Sequence, residues 1–118
     1  PKIERDDVHI DWTLPARAVA DTIRAFDPRP GAFTLLGDVA VKCFGVRAAH
    51  MEHAVDRPGT VLAVDDDGML VACGEGTVRV REVHPAGKRR LAAREWAAGR
   101  GVAPGDVFAR AAASGDPA

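Results

Sequence analysis

What most constrains this chain is a change of hydrophobic period at "DPRPG", residues 27–31. Before it, apolar residues recur at helical spacing. After it they recur every second residue, over "AFTLL", "VAVKCFGVRAA", "GTVLAV", "GMLVAC" and "GTVRVREVH". These segments are short and rich in β-branched residues, which suit a pleated, half-buried surface. Turn chemistry separates them at Gly37-Asp38, Asp67-Gly68 and Gly74-Glu75-Gly76, where Gly and Asp tolerate a positive φ. In the last segment Val78 and Val80 alternate with Thr77, Arg79 and Arg81. One face there belongs to a core, and the other presents two arginines to solvent.

Helices flank the strands. "DWTLPARAVADTIRAF" reads as a helix over Ala16–Phe26, with Thr13 as its N-cap and Pro15 in the first turn, where proline is tolerated. Val19, Ile23 and Phe26 form its apolar stripe. Pro28 and Pro30 end it, because proline lacks the amide hydrogen and pushes its predecessor toward extended geometry. A second short helix runs from about Ala92 to Ala98 and stops at Gly99. Trp12, Phe26 and Trp96 read as core anchors beside the helices. About five or six strands between an N-terminal and a C-terminal helix predict a mainly β domain. The expected arrangement is an OB-like open Greek-key barrel, with a split α+β sandwich as its competitor. Residues 1–12 read as a lead-in, 13–108 as the domain and 109–118 as a frayed tail.

At 118 residues the chain can build one modest core. No apolar run approaches the ~20 residues of a membrane helix, and no basic-then-apolar leader is present. A cytoplasmic protein is expected. Pro1 stands where Met would begin a complete chain, which reads as processing or excision. Cys43 and Cys73 are far apart without a C-x-x-C spacing, and read as small buried thiols in a reducing compartment.

Metal and catalytic patterns fail on spacing. "HMEH" at 50–53 places its histidines three apart with Glu52 misplaced, whereas the zincin pattern needs H-E-x-x-H. "DDDG" at 65–68 lacks the alternating carboxylates of a calcium loop and reads as a hairpin turn. "RPGT" and "GEGT" open no helix, so neither cradles phosphate. His84 has no carboxylate and nucleophile beside it in sequence, and the only Ser lies in the tail. No catalytic constellation is legible, and no metal is expected.

The formal net charge is −1, but it is unevenly spread. Residues 52–75 carry Glu52, Asp56, Asp65, Asp66, Asp67 and Glu75 against Arg57 alone. From Arg79 to Arg100 the balance reverses: Arg79, Arg81, Lys88, Arg89, Arg90, Arg94 and Arg100 stand against Glu82 and Glu95. Such a dipolar surface steers a polyanion to one side even when the total cancels. Clustered Lys and Arg release counterions on meeting a nucleic-acid backbone. Barrels that grip single strands stack bases on exposed aromatics. This chain has no Tyr, and Phe33 and Phe44 are its strand aromatics. Backbone and shape recognition of folded RNA therefore fits better than base stacking. The competing reading of the ridge is a solvated face.

Taken in order, "IDWTLPARAVADTIRAFDPRPGAFT" and "GTVLAVDDDGMLVACGEGTVRVREVHPAGKRRLAAREWAAGRGVAPGD" resemble the C-terminal domain of methionyl-tRNA formyltransferases. That family shows an I-D-W lead, a helix ending in R-A-F-N-P-x-P-G-A-F-T, a P-G-T strand, a G-L-L-V hairpin, a G-K-[KR] segment and a final G-D. The resemblance implies an OB-like barrel behind an N-terminal Rossmann-like catalytic domain that takes formyl from 10-formyltetrahydrofolate with an Asn–His–Asp set. No member of that set has a counterpart here, so the chain is expected to hold no cofactor and to be inactive alone. In the family this domain supplies positive charge that helps hold initiator methionyl-tRNA. Lys88 and Arg89 stand at the G-K-[KR] positions with Arg90 adjoining, and Arg24 at the Arg of R-A-F. Asp27 stands where the family carries Asn. Arg29 stands where Trp is frequent and extends the charged surface. The expected RNA-binding set is thus Lys88, Arg89, Arg90, Arg94, Arg79, Arg81, Arg24 and Arg29. The expected partners are initiator methionyl-tRNA and the N-terminal formyltransferase domain. The alternative is a scaffold domain of a sugar-nucleotide or folate formyltransferase that binds no nucleic acid.

Overall fold

The computed structural model describes residues 8–27, 29, 31–49 and 57–108. The "HMEH" stretch, the start of the lead-in and the expected tail lie outside these residues. In chain order the elements are β1 (Val8–His9), α1 (Ala16–Ala25), β2 (Ala32–Leu36), β3 (Val39–Ala49), β4 (Val61–Asp65), β5 (Gly68–Ala72), β6 (Thr77–Pro85), β7 (Leu91–Ala92) and α2 (Ala93–Ala98). The strands form one sheet in the order β1-β2-β3-β6-β5-β4, with β7 paired to β6. β1 runs parallel to β2, and the other pairings are antiparallel. The architecture is mainly β, an open, barrel-like sheet with two helices. The five longer strands are the five period-two segments. β1 and β7 span two residues each, too short for any period to show.

β3 and β6 form the spine. Their register runs without a shift from Val41↔Pro85 to Ala49↔Thr77, yet the buried face changes along it. At one end Val41, Cys43 and Val83 are buried; at the other Val46, Val78 and Val80 are. Alternation is strict within a strand, so the core crosses from one face of the ribbon to the other between these groups. Gly45 sits at the crossing with φ +68, a conformation that costs side-chain-bearing residues about 1 kcal/mol or more. Its N–H donates to Asp27 Oδ2 at 2.9 Å. The carboxylate read as a departure from the family's Asn therefore holds the strand at its turning point, through an oxygen that Asn also possesses.

α1 packs across β3 and β6 through buried Ala16, Val19, Ala20 and Ile23. Two expectations are corrected here. Thr13 is not the N-cap: Pro15 holds that position with extended geometry and no side-chain cap. The Ala16 N–H instead donates to the Glu75 carbonyl at 2.8 Å, so the β5–β6 turn caps the start of the helix. Thr13 bonds to the Asp11 carboxylate. Phe26 follows the helix end and is only half-buried, because α1 stops one residue earlier than its stripe suggests.

Trp12 is fully buried, as an anchor should be. Its indole Nε1–H donates to Thr34 Oγ1 at 2.9 Å, and its ring stacks on Phe108 with centroids 5.7 Å apart. Trp96 is buried against Gly101, where any Cβ would overlap the indole. Ile10 is also buried, so the lead-in joins the core before the first helix.

Thr34→Val keeps the shape but removes the acceptor, leaving a buried indole N–H unpaired. Urea denaturation is expected to show a loss of about 1–3 kcal/mol; an unchanged midpoint would mean the bond contributes nothing. Burial pushes both the Cys43 and Cys73 thiols up to about 12 from an ordinary 9.0. The folded state therefore holds thiol protons that the unfolded chain releases first. The stability these thiols contribute is complete below pH 9 and is lost as pH rises toward 12. Denaturation midpoints measured across that window should fall less steeply in a Cys43→Ala/Cys73→Ala variant, each normalised to its own value at pH 8.

Candidate nucleic-acid interface

β6 ends at Pro85, and the chain turns through Ala86 and Gly87 to return as β7. Ala86 N–H donates to the Ala40 carbonyl at 2.8 Å and Lys88 N–H to the Pro85 carbonyl at 3.0 Å, closing a tight turn. Glu82↔Ala92 and Val83↔Leu91 then pair. Residues 86–90 are held as the exposed tip of a hairpin, which carries Lys88, Arg89 and Arg90.

The three cations are not equivalent. Arg90 Nε donates to Glu82 Oε1 at 2.7 Å, and its guanidinium lies 4.2 Å over the centre of the Phe44 ring. Arg90 thus fastens the loop to the sheet. Arg89 donates to the Arg90 carbonyl at 3.4 Å, and neither Lys88 nor Arg89 has a carboxylate partner among the described residues. These two charges are not offset by an acidic side chain among the described residues.

The other expected cations divide similarly. Arg79 pairs with Asp65 at 2.9 Å, Arg94 with Asp66 at 3.8 Å and Arg24 with Asp21 at 3.3 Å. Arg81 and Arg29 are exposed and have no ion pair among the described residues. Arg79 and Arg81 occupy one face of β6, whereas Glu82, on the opposite face by alternation, receives Arg90. Arg79 and Arg94 offset the acidic tip of the β4–β5 hairpin. Instead of one continuous ridge, the structure brings Arg79 and Arg94 to the aspartates and leaves Lys88 and Arg89 at the β6–β7 loop.

A second group shares no motif in the sequence. Phe33 is the cross-strand partner of Lys42, and Lys42 of His84, so β2, β3 and β6 present these side chains in one row. His9 on β1 is in register with Phe33, with ring centroids 4.0 Å apart and planes tilted by 59°. Phe33, Ala40, Lys42, His84 and Ala86 line a groove of about 240 Å³. Lys42 has no ion pair among the described residues. The available signal was alternation in "VAVKCFGV", which sends Lys42 and Phe44 outward while Val41 and Cys43 go inward. Phe44 is nonetheless buried beneath Arg90, whereas Phe33 is only half-buried. Among the described residues no cluster of three His, Cys, Asp or Glu side chains could hold a metal.

This fold has clear relatives. The chain belongs to the formyl transferase C-terminal domain family, whose profile matches residues 2–101. It is 43% identical over 104 residues to a methionyl-tRNA formyltransferase of Chromobacterium violaceum, a match covering 88% of this chain and 33% of that protein. For the methionyl-tRNA formyltransferase of Thiobacillus denitrificans the figures are 40%, 88% and 34%, and for that of Burkholderia pseudomallei 39%, 96% and 34%. The chain thus spans about a third of the length of these relatives. A crystal structure of a HypX variant from Aquifex aeolicus shares the fold with a TM-score of 0.66 and 22% identity, over 83% of this chain and 18% of that one.

If Arg90 fastens the loop, Arg90→Ala should lower stability by about 1 kcal/mol, since an exposed cation–π contact and an exposed ion pair each contribute little. A double-mutant cycle with Phe44→Leu should give a coupling of about 0.5–1 kcal/mol. Strict additivity would mean that the stacking is incidental.

Proposed function

We propose that this chain is the tRNA-holding domain of a methionyl-tRNA formyltransferase. The observation that carries the reading is the pair Lys88 and Arg89, exposed and without carboxylate partners among the described residues, on a hairpin tip that Arg90 fastens to the sheet. The names of the relatives supply the substrate class. In this reading 10-formyltetrahydrofolate and the reacting groups belong to an N-terminal formyltransferase domain. This chain's residues hold and orient initiator methionyl-tRNA in the cytoplasm, for the formylation that precedes translation initiation. Lys88 and Arg89 contact phosphates, which positions the RNA without reading its sequence. Arg81 and Arg29 widen the positive surface. Arg24, Arg79 and Arg94 contribute less, because neighbouring carboxylates offset them.

Backbone-driven contact predicts binding of tRNA by the chain alone on the order of 10⁻⁴ to 10⁻⁶ M. Lys88→Ala/Arg89→Ala should weaken initiator and elongator tRNA alike. It should also flatten the dependence of log K on log salt by about 0.7–0.9 for each phosphate no longer neutralised. Arg24→Ala should change neither appreciably. If the double variant binds with the parent's affinity and salt slope, the loop is a solvated face.

A further inference from the structure

We infer that the groove between Phe33, Lys42 and His84 is a stacking slot for one unpaired base of the bound RNA. This rests on the RNA-holding reading and adds a base contact to it.

The row supplies the parts such a contact needs. Phe33 offers a half-buried ring on the outer sheet face, and His9, tilted against it at 4.0 Å, fixes how the ring stands. Lys42 lies directly across in register, so a base resting on Phe33 places its phosphate within reach of an ammonium group that has no ion-pair partner among the described residues. His84 follows across the next strand as a second planar, hydrogen-bonding side chain. Among the described residues no carboxylate lines the groove. Glu82, which shares the outer face two residues before His84, is occupied by Arg90. The lining is therefore aromatic and cationic, complementary to a nucleotide in both respects. Ala86 lines the groove two residues before Lys88, so the slot opens beside the basic loop and one RNA strand can engage both. At about 240 Å³ the groove falls below the ~300–1,000 Å³ of enclosed small-molecule pockets, and suits a single flat ring inserted from a longer chain.

The test uses the 118-residue chain and two single-stranded RNA hexamers, one carrying 2-aminopurine at an internal position and one abasic there. The 2-aminopurine emission should be quenched on binding, and the hexamer with the base should bind about five- to a hundredfold more tightly than the abasic one. Phe33→Ala should erase that difference while leaving the salt slope unchanged, and Phe33→Trp should keep it; Phe33→Leu replaces the Ala variant if the latter fails to fold. Lys42→Ala should flatten the slope by about 0.7. Lys88→Ala/Arg89→Ala should weaken both hexamers equally. Equal affinity for the two hexamers, or a difference that survives removal of the Phe33 ring, overturns the stacking slot. So does binding of adenosine monophosphate as tight as that of the hexamer, which would make the groove a free-nucleotide site. The RNA-holding reading fails separately, if tRNA does not bind at all.

Discussion

A β-ribbon alternates strictly, so a strand pair with an unbroken register offers the same face to the core along its whole length unless the ribbon itself coils. The β3–β6 pair coils at Gly45, and the rest of the domain follows from that. Beyond the crossing, Val46, Val78 and Val80 turn inward to join the residues that α1 covers; before it, Val41, Cys43 and Val83 do so. The hydrogen bond from Gly45 to Asp27 ties the crossing to the segment just after α1. The crossing also decides which side chains reach solvent. Lys42 and His84 face outward because the core lies on the other side of their strands at that level. Arg79 and Arg81 face outward beyond it for the opposite reason.

Charge is arranged by pairing as much as by clustering. The chain carries nearly balanced charge, and the arginines beside the aspartate-rich hairpin are neutralised locally, at exposed pairs of small energetic weight. What remains unopposed is set by which cations have no carboxylate within reach. Lys88 and Arg89 are such cations among the described residues, since Glu82, the acidic group beside their loop on that face, is already bonded to Arg90. A nearly neutral domain can in this way keep a local positive site.

Much of the fold was legible in the sequence, because it rests on local periodicity. Between Ala32 and Pro85 the strands show bounding turns and, in β3 and β6, alternation, while β5 is an apolar run buried at every position; Val19 and Ile23 mark the buried stripe of α1. The misses have common physical causes. The start of α1 is held by Glu75, remote in the chain, so no local cap residue could reveal it. β1 and β7 owe their existence to the neighbours they pair with. Of the candidate site, the basic run was visible as composition, but the difference between Arg90 and its two neighbours was not, because Phe44 and Glu82 meet Arg90 only in the folded sheet. The row from His9 to His84 is hidden for the same reason: its members come from four strands and share no motif.

The stacking of Trp12 on Phe108 joins the two extremes of the described chain. Two hydrogen bonds brace the C-terminal side of this junction, from the Gly59 N–H to the Ala72 carbonyl and from the Phe108 N–H to the Gly59 carbonyl, each 2.8 Å. Contacts so distant in sequence close a long loop, and the sheet built from the intervening strands offsets the entropy this costs. The indole pocket is thus a seam between the two ends of the described chain, and detaching either one would expose apolar surface that the other covers.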